Sequence, residues 1–329
     1  IMRYRVGRVA YGGTVSTYRG IRRFLRTVER TLVNEPPSLV YCHDADTLRV
    51  GCALKASHGV PFVFDMHDLQ HTWVRYAAPQ STVRSVVSRR MKQRTLRRSA
   101  EAAVIITSSQ QVNVDGHRGF VDWLAHHGLE GHCVENRPLP PFSEPKTPPK
   151  SEWTVGYIGR VRDVKAFELL IEAVKSLPPA HRPTVRLAGD GTAAARVRTM
   201  LMDEMEAGTL EARVSGAFTQ AERPELISSI DVMYAMYGPL RGNILQGALP
   251  VKMFDAAAQG VPSVVNDGCL MGDVALTEDL GTTAPWGDAE AVGQALYEMR
   301  QRVVELSATG EREHQRWLKA MKPVFDQLQ

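Results

Sequence analysis

With 329 residues, 43% hydrophobic and 23% charged, the chain is too long for one ordinary domain and has the composition of a globular protein of about two. Its four cysteines, Cys42, Cys52, Cys133 and Cys269, are scattered without a CxxC pair, so neither a disulfide framework nor a zinc site is expected, and a reducing, cytoplasmic setting fits. No run approaches the ~18 apolar residues of a membrane span, no secretory leader is visible, and the net charge of +4 is modest.

In chain order, Ile1 stands before Met2, and no strand with a glycine turn precedes Arg3. An N-terminal segment is therefore expected to be missing. Residues 5–11 read as a strand and 18–33 as an arginine-rich helix. Short apolar strands are expected at 38–42, 61–65, 102–107 and 133–136, with a helix at 47–57 that stops near Gly59. Strands alternating with helices imply a parallel sheet.

The segment 84–98 holds seven cations and no acid: Arg84, Arg89, Arg90, Lys92, Arg94, Arg97 and Arg98. Val83, Val86, Val87, Met91 and Leu96 interleave at roughly helical spacing. Such a helix is either a solvated face or a surface that lies on an anionic membrane, at the inner membrane face for a cytoplasmic protein. Nucleic acid is not expected, because no aromatic interleaving or binding motif accompanies the charges.

Six prolines, Pro138, Pro140, Pro141, Pro145, Pro148 and Pro149, fall within twelve residues. Such a stretch cannot be helical and acts as a semi-rigid linker. The expected domains are 1–140, a hinge at 141–152, and 153–310, with a helix over 311–329 packing back on the first. The second half repeats the alternation: strands at 153–158, 184–188, 214–216, 231–235 and 261–265, helices at 166–176, 193–206, 221–229, 251–259 and 289–304. The fold class is α/β, two doubly wound Rossmann-like domains facing across a cleft, with ligands at the carboxyl ends of the strands.

The most informative piece is Val155-Gly-Tyr-Ile-Gly-Arg-Val-Arg-Asp-Val-Lys165. An apolar strand ends at Gly159 and opens into a helix, where backbone N–H groups and the helix dipole favour an anion. Arg160 and Lys165 at that turn suit a diphosphate. No G-x-G-x-x-G follows any strand, so a nicotinamide or flavin enzyme is excluded. No G-x-S-x-G hydrolase elbow is present either, and no metal-ligand cluster shows in the spacing.

The second half resembles the donor domain of family 4 glycosyltransferases, which have the GT-B fold. The resemblance rests on Gly159-Arg160…Lys165, Leu170-Ile-Glu-Ala-Val174, Arg186-Leu-Ala-Gly-Asp-Gly191, Val214-Ser-Gly216, Ile230-Asp-Val232, Pro250-Val-Lys-Met-Phe-Asp-Ala-Ala-Ala-Gln-Gly-Val-Pro262 and Asp267-Gly268…Gly281, in that order. The first half matches more loosely, through Tyr41-Cys-His-Asp44, Phe64-Asp-Met-His67, Ile106-Thr-Ser108 and Val134-Glu-Asn136. The first strand and glycine loop of the family are expected to be absent.

The resemblance implies metal-independent transfer of a hexose, with retention of configuration, from a UDP- or GDP-sugar to a hydroxyl acceptor. It implies no further cofactor. Arg160 and Lys165 would neutralise the departing diphosphate, and Asp255, where the family usually has Glu, would take the ribose hydroxyls. His67 would face the sugar, with Asp65, Asp68 and His43 as weaker candidates and Ser108 and Ser109 as structural residues. The family carries a second glutamate eight positions before the first; here that position is Gly247. This resembles a sub-group with a Pro-x-Lys-x-x-Glu/Asp pattern in which Lys252 faces the donor. The donor-binding set is then Gly159, Gly247, Ala248, Leu249, Lys252 and Asp255, with free backbone N–H groups at 247–248 reaching sugar or phosphate. A GT-B epimerase or hydrolase, and a non-catalytic partner subunit, are the alternatives.

Overall fold

The structure is a computed structural model that describes residues 14–76, 78–113, 116–140, 142, 152–239 and 243–328. The strand expected at 5–11, and all of the hinge 141–152 except residues 142 and 152, lie outside the described residues. The chain forms two compact units. The first comprises residues 1–108, 120–134 and 314–329; the second comprises 109–119 and 135–313.

The first unit is built on a parallel sheet of β1 (Val40–His43), β2 (Phe62–Met66), β3 (Val104–Thr107) and β4 (His132–Cys133), in that spatial order. Every residue of β2 is buried, which is why the run reads as continuously apolar rather than alternating. Helix α1 (Thr14–Asn34) places Ile21, Leu25, Val28 and Leu32 along one stripe, against Val50 and Leu54 of α2 (Asp44–His58). Gly59 ends α2 in a left-handed conformation (φ 69°), the usual αL stop. Helices α3 (Gln70–Tyr76), α4 (Thr82–Ser99) and α5 (Phe120–His126) complete the first run. Ser81 caps α4, its side chain accepting from the Arg84 N–H at 3.4 Å.

The second unit holds a six-stranded parallel sheet. Its strands are β5 (Thr154–Ile158), β6 (Thr184–Ala188), β7 (Glu211–Ser215), β8 (Val232–Ala235), β9 (Ser263–Asn266) and β10 (Gly281–Ala284). Their order is β10-β9-β8-β5-β6-β7. The sequential run β5-β6-β7 goes one way and β8-β9-β10 the other, so the topological switch lies between β5 and β8. The helices are α6 (Val164–Ser176), α7 (Ala194–Glu206), α8 (Arg223–Ser228), α9 (Val251–Ala257), α10 (Leu270–Thr277) and α11 (Ala289–Met299). Phe167, Leu170 and Val174 of α6 lie fully in the core with Val155, Leu187, Val232 and Leu296.

A further helix, α12 (Gly310–Leu328), sends Ala320, Met321 and Val324 into a cluster with Val63, Val104 and Ile106 of the first unit's sheet. Several boundaries differ from the sequence reading. The helix expected over 289–304 ends at Met299, and Val304 and Leu306 are buried from a loop, with Val304 N–H bonded to Gly260 O at 3.2 Å. Their burial kept the apolar pattern running past the helix end. The edge strand β10 was not anticipated, because Thr282 and Thr283 give it no apolar run.

Candidate active site

In the second unit, β5 delivers Gly159 to the switch point, where open α/β sheets bind ligands. The loops 159–161 and 189–191 are laced together by Gly159 N–H to Ala188 O and Val161 N–H to Asp190 O, both 2.9 Å. A Cβ on Gly189 would stand 1.9 Å from Gly159 O, so the Gly-Asp-Gly element is required by this close backbone approach. Asp163 caps α6 by accepting from the Lys165 N–H at 3.1 Å. Arg160 and Lys165 are both exposed, and the Tyr157 hydroxyl donates to Arg160 O at 2.8 Å, fixing the turn between them.

Lys252, in the first turn of α9, reaches the same turn. Its Nζ lies 3.2 Å from the Tyr157 ring centroid and 5.5 Å from that of Tyr237, and its Cε would be 2.8 Å from a Cβ on Gly159. The two tyrosines hold the ammonium by its attraction to their ring faces. Tyr237 is itself held by the buried Asn266 side chain, which accepts from its N–H at 2.8 Å and donates to its carbonyl at 3.0 Å. Asp255, one turn further along α9, is paired with Arg223 Nη1 at 2.9 Å. Burial pushes its carboxyl above the usual range, and Arg223 opposes that shift. Tyr237, Asn266 and Arg223 escaped the sequence reading, and Arg223 leaves no local signal.

The turn 243–248 overturns one expectation. Its backbone N–H groups are not free: Gly247 donates to Ile244 O at 3.3 Å and Ala248 to Asn243 O at 2.9 Å. Ala248 and Leu249 are buried. Gly247 has φ 105°, and a Cβ there would lie 2.4 Å from Arg118 O and 2.7 Å from Gly119 Cα. The buried Ser109 hydroxyl donates to Gly247 O, so Ser109 is a structural tie. The glycine is there because the 118–119 backbone occupies the space a side chain would need.

In the first unit, the parallel register pairs His43 with Asp65 across the carboxyl ends of β1 and β2. His43 Nδ1 and His67 Nε2 stand 3.3 and 3.2 Å from the same Asp65 oxygen, Oδ2. The two imidazoles stack at 5.6 Å with a 16° interplanar angle. The hydrogen bond to Asp65 raises the His67 pKa, against desolvation, and Asp44 and Asp68 add to the rise. Asp68 accepts from the Trp73 indole at 2.9 Å. Sequence spacing showed no metal-ligand cluster; the fold assembles three groups of metal-ligating type in His43, Asp65 and His67. Ser108 is buried at the end of β3.

Helix α4 turns two faces outward and inward. Met91 and Leu96 are half-buried, and Ser88 donates to His71 O at 2.6 Å. Val83, Val86 and Val87 are 71%, 48% and 42% exposed, and Arg90, Arg94 and Arg97 continue their stripe. No helix among the described residues is long and apolar enough to cross a membrane.

Two parallel α/β sheets, with a cationic turn at the switch point of the second, define the GT-B class of glycosyltransferase folds. Residues 2–115 match the family model for a glycosyl transferase 4-like domain, and residues 152–302 match that for glycosyl transferases group 1. Together these span most of the chain, which is an enzyme of the glycosyltransferase class. No curated protein matches the sequence. Among solved structures it is similar to a sucrose-phosphate synthase from Thermosynechococcus elongatus, with 15% identity and a TM-score of 0.65 over 99% of this chain and 82% of that one. HepE of Anabaena in complex with UDP gives 15% and 0.58 over 93% and 82%. The catalytic domain of starch synthase IV from Arabidopsis thaliana, bound to ADP and acarbose, gives 12% and 0.57 over 95% and 79%.

Proposed function

We propose that the chain transfers a hexose from a UDP- or GDP-sugar to a hydroxyl acceptor, with retention of configuration and without a metal in the transfer step. The observation that carries this reading is the switch-point turn, where Gly159 and Arg160 follow β5, Lys165 opens α6 and Lys252 leans on Gly159. Arg160 and Lys165 hold the diphosphate and offset the charge that grows on it as it leaves. Lys252 supports the donor, and Asp255, oriented by Arg223, accepts from the ribose hydroxyls. His67 serves the sugar, and Asp65 or Asp68 is the candidate base for an acceptor. UDP and ADP in the complexes of similar fold support a nucleoside diphosphate as the leaving group.

Calorimetric titration with UDP and GDP tests this. Arg160→Ala and Lys165→Ala each remove a charge-assisted contact of roughly 1.5–3 kcal/mol, an expected loss of about 10- to 100-fold in affinity. Unchanged binding in both variants would sink the assignment. Gly247, in place of the usual glutamate, motivates a second reading: a relative that binds nucleotide sugar but serves as a partner subunit. Nucleotide binding with no turnover on any donor, with or without acceptor, favours it.

We also assign the outward stripe of α4 to an anionic membrane surface on the cytoplasmic side, with the valines entering the headgroup boundary and the arginines facing phosphates. Vesicles containing anionic lipid should carry the protein in a flotation gradient. Val83, Val86 and Val87 changed together to Ser should abolish it, and no flotation of the parent chain at physiological salt removes the assignment.

A further inference from the structure

We propose that His43, Asp65 and His67 form a binding site for a divalent transition-metal ion, with zinc as the best-fitting ion. Zinc binds imidazole nitrogen and carboxylate oxygen at about 2.0–2.2 Å in tetrahedral geometry, which puts neighbouring ligand atoms about 3.3 Å apart. The two edges to Asp65 Oδ2 are 3.3 Å from His43 Nδ1 and 3.2 Å from His67 Nε2. The three ligand atoms all lie within 4.8 Å of one another. A charge-assisted N–H···O bond is typically shorter, about 2.7–2.9 Å. Both contacts are longer than that and match two edges of a coordination tetrahedron that share one oxygen.

The surroundings have the character of an outer shell around such a site. The Asp65 charge acts on the Tyr41 hydroxyl, which accepts from the Trp317 indole at 3.2 Å. Asp44, directly after His43, has a left-handed φ of 58° without being glycine, a conformation that costs on the order of 1–3 kcal/mol and collects at functional sites. Its Oδ1 is buried with no hydrogen-bond partner, and its charge acts on His67. Around the two imidazoles there are three carboxylates, Asp44, Asp65 and Asp68, which favour a cation. Side-chain exposures of 64% at His43 and 35% at His67 leave an approach for water as a fourth ligand. Two nitrogens and one carboxylate suit zinc, cobalt, nickel or copper, and exclude the all-oxygen preference of magnesium and calcium.

The binding stands independently of the transferase roles. One consequence rests on them: an occupied site withdraws the His67 imidazole from the sugar, so the ion competes with the reaction.

The test uses the untagged full chain, stripped with chelator and titrated with zinc by calorimetry, with cobalt absorption as a second readout. One zinc per chain is expected, with magnesium giving no heat. His43→Ala changes an exposed side chain, so folding is kept, and should weaken zinc by more than the ~10–100-fold that loss of an outer-shell partner costs; His67→Ala should do the same. Cobalt should give the visible bands of a tetrahedral nitrogen–oxygen site. Absence of stoichiometric zinc, unaltered affinity in both variants, or a cobalt–thiolate charge-transfer band that moves the ion to a cysteine, overturns the proposal.

Discussion

Replacing Gly247 with glutamate would restore the carboxylate that the family pattern puts there, and the expected result is damage rather than repair. Three costs combine. A residue with a Cβ at φ 105° pays roughly 1–2 kcal/mol for leaving the right-handed regions. The new Cβ would stand 2.4 Å from Arg118 O and 2.7 Å from Gly119 Cα, inside the 3.0 Å that real Cβ atoms keep, and both neighbours are backbone. Forcing that backbone aside costs about 1–3 kcal/mol, and loss of the Ser109–Gly247 hydrogen bond adds about 1 kcal/mol. The total is about 3–6 kcal/mol. For a unit of this size about 1 kcal/mol moves the melting midpoint by ~2–4 °C, so a fall of roughly 6–24 °C is expected. Thermal unfolding by circular dichroism should show most of it already in Gly247→Ala, which adds the Cβ alone, and Gly247→Glu should not gain turnover. Alanine and glutamate variants melting with the parent chain would refute the packing explanation for the missing carboxylate.

His71 gives a pH signature. Burial, then Lys92 and His127, lower its pKa from 6.5 to about 4. The unfolded chain therefore binds the extra proton in that window, and stability present above pH 6.5 is lost as pH falls toward 4. Half-exposure to solvent screening reduces the loss to about 1–2 kcal/mol; urea midpoints between those pH values should lose this component of slope in His71→Phe. Asp255→Asn should weaken UDP about 10-fold while leaving a dideoxyribose analogue unaffected, and equal losses for both ligands would remove the ribose role. Arg223→Ala should destabilise by about 1–2 kcal/mol, because it leaves the half-buried Asp255 carboxylate without its counter-charge, and the denaturant midpoint reports it.

What the sequence disclosed was whatever is local. The strand–turn–helix from Val155 to Lys165 is contiguous, so its phosphate-turn character can be read off one window. Phe62 to Met66 announces a central strand because both faces are buried. The clustering of His43 with Asp65 depends on the register of β1 against β2, which no spacing rule encodes. The reason for Gly247 lies in the 118–119 backbone, remote in the chain, and so glycine read as permissiveness when it reflects crowding. Arg223 shares with Asp255 only a meeting of two short helices. The valines of α4 matched helical spacing, yet periodicity alone could not say which apolar positions face inward.

The placement of residues 314–329 in the first unit sets an order of events during synthesis. Ala320, Met321 and Val324 cover Val63, Val104 and Ile106, yet the ribosome makes the whole of the second unit before it reaches them. At about 5–20 residues per second that interval is on the order of ten to forty seconds. Through it the nascent first sheet stands with one apolar face bare, so the vectorial rule of early domains folding first is suspended, and holding chaperones have their natural window there. A fragment ending at the first unit's last strand would keep that face bare permanently; one to which residues 314–329 are supplied in trans should regain it.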